Sequence, residues 1–246
     1  MEQSKKILKA FNAVPATCIR VNTLKITTDA IKKQLKLKNI SVEDIPYIQE
    51  GLSIKTGADT LFSEFLQTGL LYVQTASSMI PAKVLGPDAG DHVLDMCAAP
   101  GSKTTHIAAL MGNRGSIDAW DVYPHKVKLI KDNAKRLGIS IIHTEVRDSV
   151  KPLPFLYETY DKVLLDAPCS GLGVLGHKVE LRWRRKESDL SVFPPLQKQL
   201  IEQAAKYTKT GGVLVYSTCT LNPDENEHII NEFLSLHSEF APEEFN

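Results

Sequence analysis

Long apolar runs are missing from this sequence of 246 residues. No run approaches the roughly 20 residues that a membrane-spanning helix needs, so we expect no membrane span. Residues 1–11 are too charged, and their apolar stretch is too short, for the core of a secretory signal. Hydrophobic residues make up 43% and charged residues 24%, as in a globular protein that buries its own core. We expect a cytoplasmic location.

Cysteines are few and far apart. The four are Cys18, Cys97, Cys169 and Cys219, and they form no CxxC pair or other metal-ligand spacing. This spacing argues against a disulfide framework and gives no indication of a metal site. We therefore expect reduced thiols, no bound metal and a monomeric chain.

Net charge is also absent, because 29 basic residues balance 29 acidic ones. The charge is unevenly placed, however. Residues 1–40 carry nine basic and two acidic residues, a net of +7, whereas residues 221–246 carry seven acids and no Lys or Arg. Such polarity can steer a polyanion toward one end of the molecule, although a solvated basic helix face gives the same pattern.

Glycine is scarce in the stretch that organises the rest of the chain, residues 93–105. Its pattern predicts a strand, a tight loop and a helix start, with Ser102 as the helix cap. Free N–H groups at such a junction favour an anion or a polar tail. Gly101 is the loop's single glycine, which is incompatible with a P-loop and disfavours a dinucleotide site that needs three. An ordinary strand-to-helix turn remains the alternative for this stretch taken alone.

Residues 1–85 have the pattern of a small α+β domain, followed by a turn-rich joint at 84–90. Its predicted elements are strands at 16–24, 51–55 and 70–74 and a helix at 29–37. Residues 86–246 alternate regularly between strand and helix. Here we predict strands at 92–97, 115–121, 141–146, 160–166 and 213–219, and helices at 102–111, 124–137, 195–208 and 223–236, the third ended by Gly211 and Gly212. This alternation predicts an α/β fold with a parallel sheet covered on both faces.

Polar residues collect where the predicted parallel strands end, which is where such folds hold ligands. They are residues 95–103, Asp121, Asp148, residues 166–169, Thr218 and Cys219. One aspartate at a strand end is often only a turn former, but the whole set fits S-adenosylmethionine. The loop N–H groups would hold the amino-acid tail, Asp121 the ribose hydroxyls and Asp148 the adenine amino group. Asp166 would lie near the sulfonium.

Two cysteines flank this predicted pocket. Cys169 follows one central strand and Cys219 another, whereas we expect Cys18 to be a small, buried and inert side chain. Cytosine carbon 5 is a poor nucleophile, and addition of a thiolate to carbon 6 activates it toward a methyl donor. One cysteine would add and the other would help eliminate.

These motifs resemble the RsmB/Sun-type RNA (cytosine-5) methyltransferases. The resemblance rests on Cys97-Ala-Ala-Pro-Gly-Ser-Lys103, Asp166-Ala-Pro-Cys-Ser-Gly171, Ser217-Thr-Cys-Thr220, Pro223-Asp-Glu-Asn226 and, toward the N-terminus, Arg20-Val-Asn22. It implies a Rossmann-like parallel-sheet methyltransferase domain preceded by a small, RRM-like RNA-binding extension, with ribosomal RNA as the favoured substrate. In many DNA cytosine methyltransferases the Pro-Cys cysteine is instead the nucleophile, so the two cysteine roles stay open on chemistry alone.

The resemblance also implies residue roles. Cys219 is the implied nucleophile, Cys169 assists product release, and Asp166 is grouped with both the catalytic and the cofactor-binding residues. The implied S-adenosylmethionine contacts are Cys97, Ala98, Ala99, Pro100, Gly101, Ser102, Lys103, Asp121, Asp148 and Asp166.

A basic segment beside the second motif is the candidate RNA surface. Its members are Lys178, Arg182, Trp183, Arg184 and Arg185, to which we add Arg20 from the basic N-terminal region. Cations contact phosphates, and aromatic or guanidinium planes stack unpaired bases. A buried tryptophan in a basic turn is the competing interpretation for Trp183.

Some features depart from the family pattern. The sequence ends after the last predicted helix, where this fold adds a final antiparallel pair of strands, and no helical RNA-binding domain precedes residue 1; we expect a fragment or a disordered end. Transfer RNA or another RNA is an alternative substrate. Methylation of a protein or small molecule, and RNA binding without catalysis, are further alternatives, but they leave the two cysteines without a role.

Overall fold

The structure, a computed structural model, describes residues 6, 11–12, 15–56 and 62–244. Its first sheet is antiparallel, with strand order β2-β3-β1-β4. The strands are β1 Cys18–Val21, β2 Ser41–Ile45, β3 Ile48–Thr56 and β4 Leu71–Val73. Helices α1 Thr28–Leu37 and α2 Phe62–Gln67 accompany them. Thr27 caps α1 by accepting from the Ala30 N–H, and Ile31 and Leu35 form its buried face.

Helix α3, Ala76–Leu85, links this sheet to the second one. Thr75 caps it and Gly86 ends it in the left-handed conformation at φ 55°. Its buried residues Ala82 and Leu85 pack with Val93 and Ile107 of the following region. The helix contains Pro81, which breaks the expected helical pattern and explains why the sequence did not indicate it. The boundary at residue 85 between two domains stays a prediction.

The second sheet is fully parallel, with strand order β7-β6-β5-β8-β9. Its strands are β5 His92–Asp95, β6 Ser116–Asp121, β7 Ile142–Val146, β8 Tyr160–Asp166 and β9 Thr208–Ser217. The helices are α4 Ser102–Leu110, α5 Pro124–Leu137, the short α6 Leu181–Arg184, α7 Phe193–Tyr207 and α8 Glu227–Leu236. The predicted fold class, a Rossmann-like parallel-sheet domain after a small α+β domain, is confirmed.

The parallel sheet is buried because apolar residues cover both of its faces. Leu94, Val163 and Trp120 lie in continuous apolar clusters with the helices. Helix α5 begins at Pro124, whose fixed φ suits a first helical position, and is ended by Gly138 at φ 76°. The carboxyl ends of all five strands therefore point to one edge of a rigid layer.

Two local predictions are wrong, and two elements were not predicted. Gly211 and Gly212 do not end a helix; α7 stops at Tyr207, and the glycines lie at an irregularity in β9, where its pairing with β8 shifts register. Pro223 opens a 3₁₀ turn, Pro223–Glu225, and α8 starts at Glu227. The sequence also gave no sign of β2 and α2. In the part of the chain that is described, no helix has the length and apolar character needed to cross a membrane.

Candidate active site

The loop between β5 and α4 is held by backbone contacts. Ala98 donates its N–H to the Trp120 carbonyl at 2.8 Å, and Gly101 donates to the Ala98 carbonyl at 2.7 Å. Gly101 has φ +96°, and a Cβ there would lie 3.2 Å from the Cα of Ile130 in α5. Only glycine therefore fits this close approach. Gly101, not Ser102 as predicted, is the helix cap, and it leaves the first N–H groups of α4 to face an anion.

Asp95, at the end of β5, is a buried carboxyl to which the sequence assigned no specific contact. Its Oδ2 accepts from the Thr104 hydroxyl at 2.7 Å, and its Oδ1 has no partner among the described residues. Burial raises the pKa of Asp95 to about 7. An unpartnered buried oxygen beside free helix N–H groups fits a zwitterionic amino-acid tail, whose ammonium would supply the missing donor. Its position at a strand end was the only sequence signal.

Cys97 lies in the same loop and is not a reactive thiol. Burial raises its pKa, and the carboxylates of Asp95 and Asp121 add to that effect. The thiolate is the reactive form of cysteine, and Cys97 stays protonated. Its role is therefore to pack within the loop.

Asp121 and Asp148 stand at the ends of β6 and β7, on the far side of the loop. Asp121 is buried, and its Oδ1 accepts the Tyr123 N–H at 3.0 Å. Asp148 is half-buried and accepts the Val150 N–H at 3.3 Å. Val146, the register partner of Asp121, is 50% exposed. An acid beside an exposed apolar side chain suits a ribose next to a flat base.

Asp166, at the end of β8, joins the cofactor loop to the cysteines. Its Oδ2 accepts from the ammonium of Lys103 at 2.6 Å, and its Oδ1 accepts from the hydroxyl of Ser217 at 2.7 Å. Ser217 is also its register partner in β9. The carboxylate is thus fixed from both sides at the centre of the predicted pocket.

Cys169 and Cys219 face each other beyond β8 and β9. Their Sγ atoms are 3.2 Å apart, and the N–H of Cys219 donates to the Sγ of Cys169 at 3.3 Å. The hydrogen bond from Cys169 lowers the pKa of Cys219 to about 7, against burial and Asp166, which raise it. The same hydrogen bond and burial raise the pKa of Cys169. Cys219, the more exposed of the two, is therefore the thiol that loses its proton more readily, and Cys169 is the one that keeps it.

Glu225 holds the two cysteine loops together, a role that the sequence did not reveal although its motif was noted. The fully buried Oε2 of Glu225 accepts from the Ser170 N–H at 2.8 Å and from the Gln197 amide at 3.1 Å. The hydroxyls of Ser170 and Thr220 are 2.7 Å apart. Each residue next to a cysteine is thereby tied to the other loop.

The predicted RNA residues divide into two groups. Trp183 is 88% exposed, which contradicts burial, and Lys178 and Arg184 are exposed as well. Arg182 and Arg185 are instead engaged: Arg182 donates to the Leu175 carbonyl at 3.1 Å, and Arg185 donates to the Ser170 carbonyl at 2.7 Å.

Two further expectations fail. The predicted RNA contact of Arg20 is wrong, because this side chain is 2% exposed and bonded within the interior, where no phosphate at the surface can reach it. Cys18 was expected to be buried, but it is partly exposed and donates to the Ala16 carbonyl. Within the described ranges, no group of three or more His, Cys, Asp or Glu residues is placed to hold a metal ion.

Comparison with known proteins identifies the family. A model described as 16S rRNA methyltransferase RsmB/F matches residues 82–246. The chain belongs to the RsmB/F methyltransferase family. A second model, an RsmF/B-like ferredoxin-like domain, matches residues 2–60. The predicted resemblance is confirmed, and so is the cofactor, since the family depends on S-adenosylmethionine.

Similar proteins carry consistent names. A probable ribosomal RNA small subunit methyltransferase B from Bacillus subtilis is 38% identical over 98% of this chain and 54% of its own length. A ribosomal RNA small subunit methyltransferase F from Erwinia tasmaniensis is 42% identical over 89% of this chain and 47% of its own. The RsmB/F chain described here thus spans about half the length of these curated relatives.

Solved structures agree with the fold. A methyltransferase homolog from Pyrococcus horikoshii has a TM-score of 0.86 and 37% identity over 95% of this chain and 74% of its own. NSun6 from the same organism, solved with the S-adenosylmethionine analogue SFG, has a TM-score of 0.85 and 28% identity over 96% and 84%.

Proposed function

We propose that this chain methylates carbon 5 of a cytosine in ribosomal RNA, using S-adenosylmethionine and a covalent adduct on Cys219. The observation that carries the proposal is the Cys169–Cys219 pair, 3.2 Å apart, placed next to Asp166 and the cofactor loop. A methyltransferase acting on an oxygen or nitrogen has no need of two facing thiols, one of them with a lowered pKa. The proposal includes the predicted S-adenosylmethionine contacts, which are residues 97–103, Asp121, Asp148 and Asp166.

Cys219 takes part in the first and the last step of the proposed reaction. The Cys219 thiolate adds to carbon 6 of the cytosine, which forms a sulfur–carbon bond and places an electron pair on carbon 5. Carbon 5 would take the methyl group from the sulfonium of the bound cofactor, and S-adenosylhomocysteine would be the leaving group. A base then removes the proton from carbon 5, the double bond reforms, and Cys219 leaves as the thiolate. Cys169 assists this release, because it lies within hydrogen-bonding distance of the leaving sulfur.

RNA approaches from the side of the Cys169 loop in this proposal. Lys178, Trp183 and Arg184 are exposed there, and Arg185 stiffens the loop from beneath by bonding the Ser170 carbonyl. The target base must leave its stack to reach the two cysteines. The monomeric state and cytoplasmic location expected from the sequence stay predictions.

The test supplies S-adenosylmethionine with a labelled methyl group together with ribosomal RNA, transfer RNA, DNA or protein. We expect 5-methylcytosine in ribosomal RNA, none with Cys219→Ala, and a trapped covalent RNA adduct with Cys169→Ala. Cys18→Ala, remote in the first sheet, is the control and keeps full transfer. Transfer that survives Cys219→Ala would overturn the nucleophile assignment, and label in DNA or protein alone would overturn the substrate.

A further inference from the structure

Arg20 reaches from the first sheet into the start of helix α4. It lies on β1 and is 2% exposed. One guanidinium nitrogen, Nη1, donates to the Ser102 carbonyl and to the Gln74 side-chain oxygen, both at 2.6 Å. The other, Nη2, donates to the hydroxyl of Thr105 at 2.9 Å. A residue 82 positions earlier in the chain therefore fixes the first turn after the cofactor loop.

The charge of Arg20 is not explained by the stability of α4. Burial lowers its pKa to about 10, so the side chain stays protonated at neutral pH. A helix start already carries a partial positive charge, and a cation beside it is unfavourable. The arrangement becomes favourable once an anion lies against the free N–H groups of the same turn.

The neighbouring acid does not cancel this charge. Burial would raise the pKa of Glu50, but the hydrogen bond from His106, a backbone hydrogen bond and the charge of Lys83 act together to lower it to about 2, so Glu50 is ionised. Its two oxygens, however, are engaged by His106 at 2.5 Å and by the ammonium of Lys83 at 3.7 Å. Burial lowers the pKa of His106 to about 4, so this side chain is neutral. Glu50 attracts the charge of Arg20 from a distance and raises its pKa, but no ion pair joins the two, so Arg20 has no carboxylate partner of its own among the described residues.

We propose that Arg20 is a positioning residue of the cofactor site: it fixes the first turn of α4 and adds positive potential where the carboxylate of the S-adenosylmethionine tail binds. This inference rests on the proposed function. On this inference the antiparallel sheet supports cofactor binding through Arg20, in addition to any role in RNA binding. It also replaces the RNA contact that the sequence suggested for Arg20.

The test compares two ligands that differ in the tail. S-adenosylhomocysteine has the amino-acid carboxylate, and 5′-methylthioadenosine lacks the whole amino-acid end. Calorimetric titration of Arg20→Met should show S-adenosylhomocysteine affinity reduced by about tenfold or more. The affinity for 5′-methylthioadenosine should change by less than about twofold. Arg20→Lys, which keeps the charge but loses the forked contact, should restore part of the difference.

Asn22 offers a matched control in the same joint. Its buried amide donates to the carbonyls of Gly69 and Leu137, both at 2.8 Å, at the far end of α5 from the cofactor loop. Asn22→Leu therefore disturbs the joint equally without touching α4, and should leave the ratio of the two affinities unchanged.

Two results would contradict the proposed role of Arg20, and a third would contradict the proposed function. An equal loss for both ligands in Arg20→Met would mean a purely structural role and overturn the inference. If that variant does not fold, Thr105→Val, which removes the acceptor of Nη2 and keeps the shape, replaces it; an unchanged affinity ratio there has the same consequence. A wild-type protein that binds neither ligand would instead overturn the proposed function, and the inference with it.

Discussion

Cys169 and Cys219, 50 residues apart in the chain, bring their Sγ atoms to 3.2 Å. The contact follows from strand register, since Asp166 of β8 is paired with Ser217 of β9, and each cysteine comes two or three residues later. Two loops that leave adjacent parallel strands at the same level must meet. The sheet therefore builds the reactive pair, and the hydrogen bond between the thiols makes its two members unequal.

Removing Cys169 should make Cys219 less reactive at neutral pH. The wild-type pKa of Cys219 is lowered to about 7 chiefly by the hydrogen bond from Cys169, so about half of it is thiolate at pH 7. In Cys169→Ala this pKa should rise toward the ordinary value, and alkylation of Cys219 by iodoacetamide at pH 7 should slow by on the order of tenfold. Mass spectrometry of the alkylated peptide across pH 6–10 measures the midpoint. Cys18→Ala is the control, and an unchanged midpoint in Cys169→Ala contradicts the hydrogen-bond explanation.

The parallel half of the fold was predictable because its signals are local. Strands β5, β8 and β9 contain short apolar runs next to turn residues, and Pro124 and Gly138 bound α5 in the sequence as they do in the structure. Helix α3 was missed because Pro81 interrupts its pattern, and the start of β9 was missed because Gly211 and Gly212 imitate a helix end. The burial of Met79, Ala82 and Leu85 in α3, and the pairing of β9 with β8, override these local signals.

The sequence predicted which residues form the site better than it predicted their hydrogen-bond partners. Strand ends identified Asp166 and both cysteines, but no sequence pattern records that Glu225 is buried between their loops. Arg20 shows the same limit, since a basic residue in a basic segment indicates a surface, whereas its hydrogen bonds to Gln74, Ser102 and Thr105 form only in the folded chain. When residues far away in the sequence bury a charged side chain, the sequence around that side chain does not indicate it.

Replacing Gly101 should damage cofactor binding specifically. In Gly101→Ala the new Cβ would meet the Cα of Ile130 at 3.2 Å, so the loop must shift. We expect S-adenosylhomocysteine affinity to fall by about tenfold or more, together with a destabilisation of about 1–2 kcal/mol from the positive φ. Gly90→Ala is matched in φ, at +105°, but has open space around its Cβ. It should show a similar loss of stability with unchanged affinity; equal affinity in both variants would contradict the tight fit at the loop.

Removing the Glu225 carboxylate should loosen the cysteine loops. Glu225→Ala leaves the buried Ser170 N–H without its acceptor and removes one of the two acceptors of the Gln197 amide, which still donates to the Pro168 carbonyl. We expect the free energy of unfolding in urea to fall by about 2–4 kcal/mol, the usual cost of buried groups that lose a charged partner. Glu227→Ala, two residues later and exposed, is the control and should cost less than about 1 kcal/mol. A loss no greater than that of the control would show that Glu225 does not bridge the loops.

Trp183 should act on RNA and not on the cofactor. It is 88% exposed beside the Cys169 loop, and stacking of one base on such a ring contributes about 1–3 kcal/mol. Trp183→Ala should therefore weaken binding of a single-stranded ribosomal RNA segment by about tenfold while S-adenosylhomocysteine affinity is unchanged. Phe155→Ala is the control, because this aromatic ring is 76% exposed but precedes β8 at the opposite end of the sheet. Arg184→Gln should act differently and reduce the salt dependence of RNA binding, with a slope smaller by about 0.7. If Trp183→Ala and Phe155→Ala bind RNA with the same affinity, the surface around Trp183 does not contact RNA. An exposed ring that stacks on no base contributes nothing to the binding free energy, so its removal cannot weaken binding.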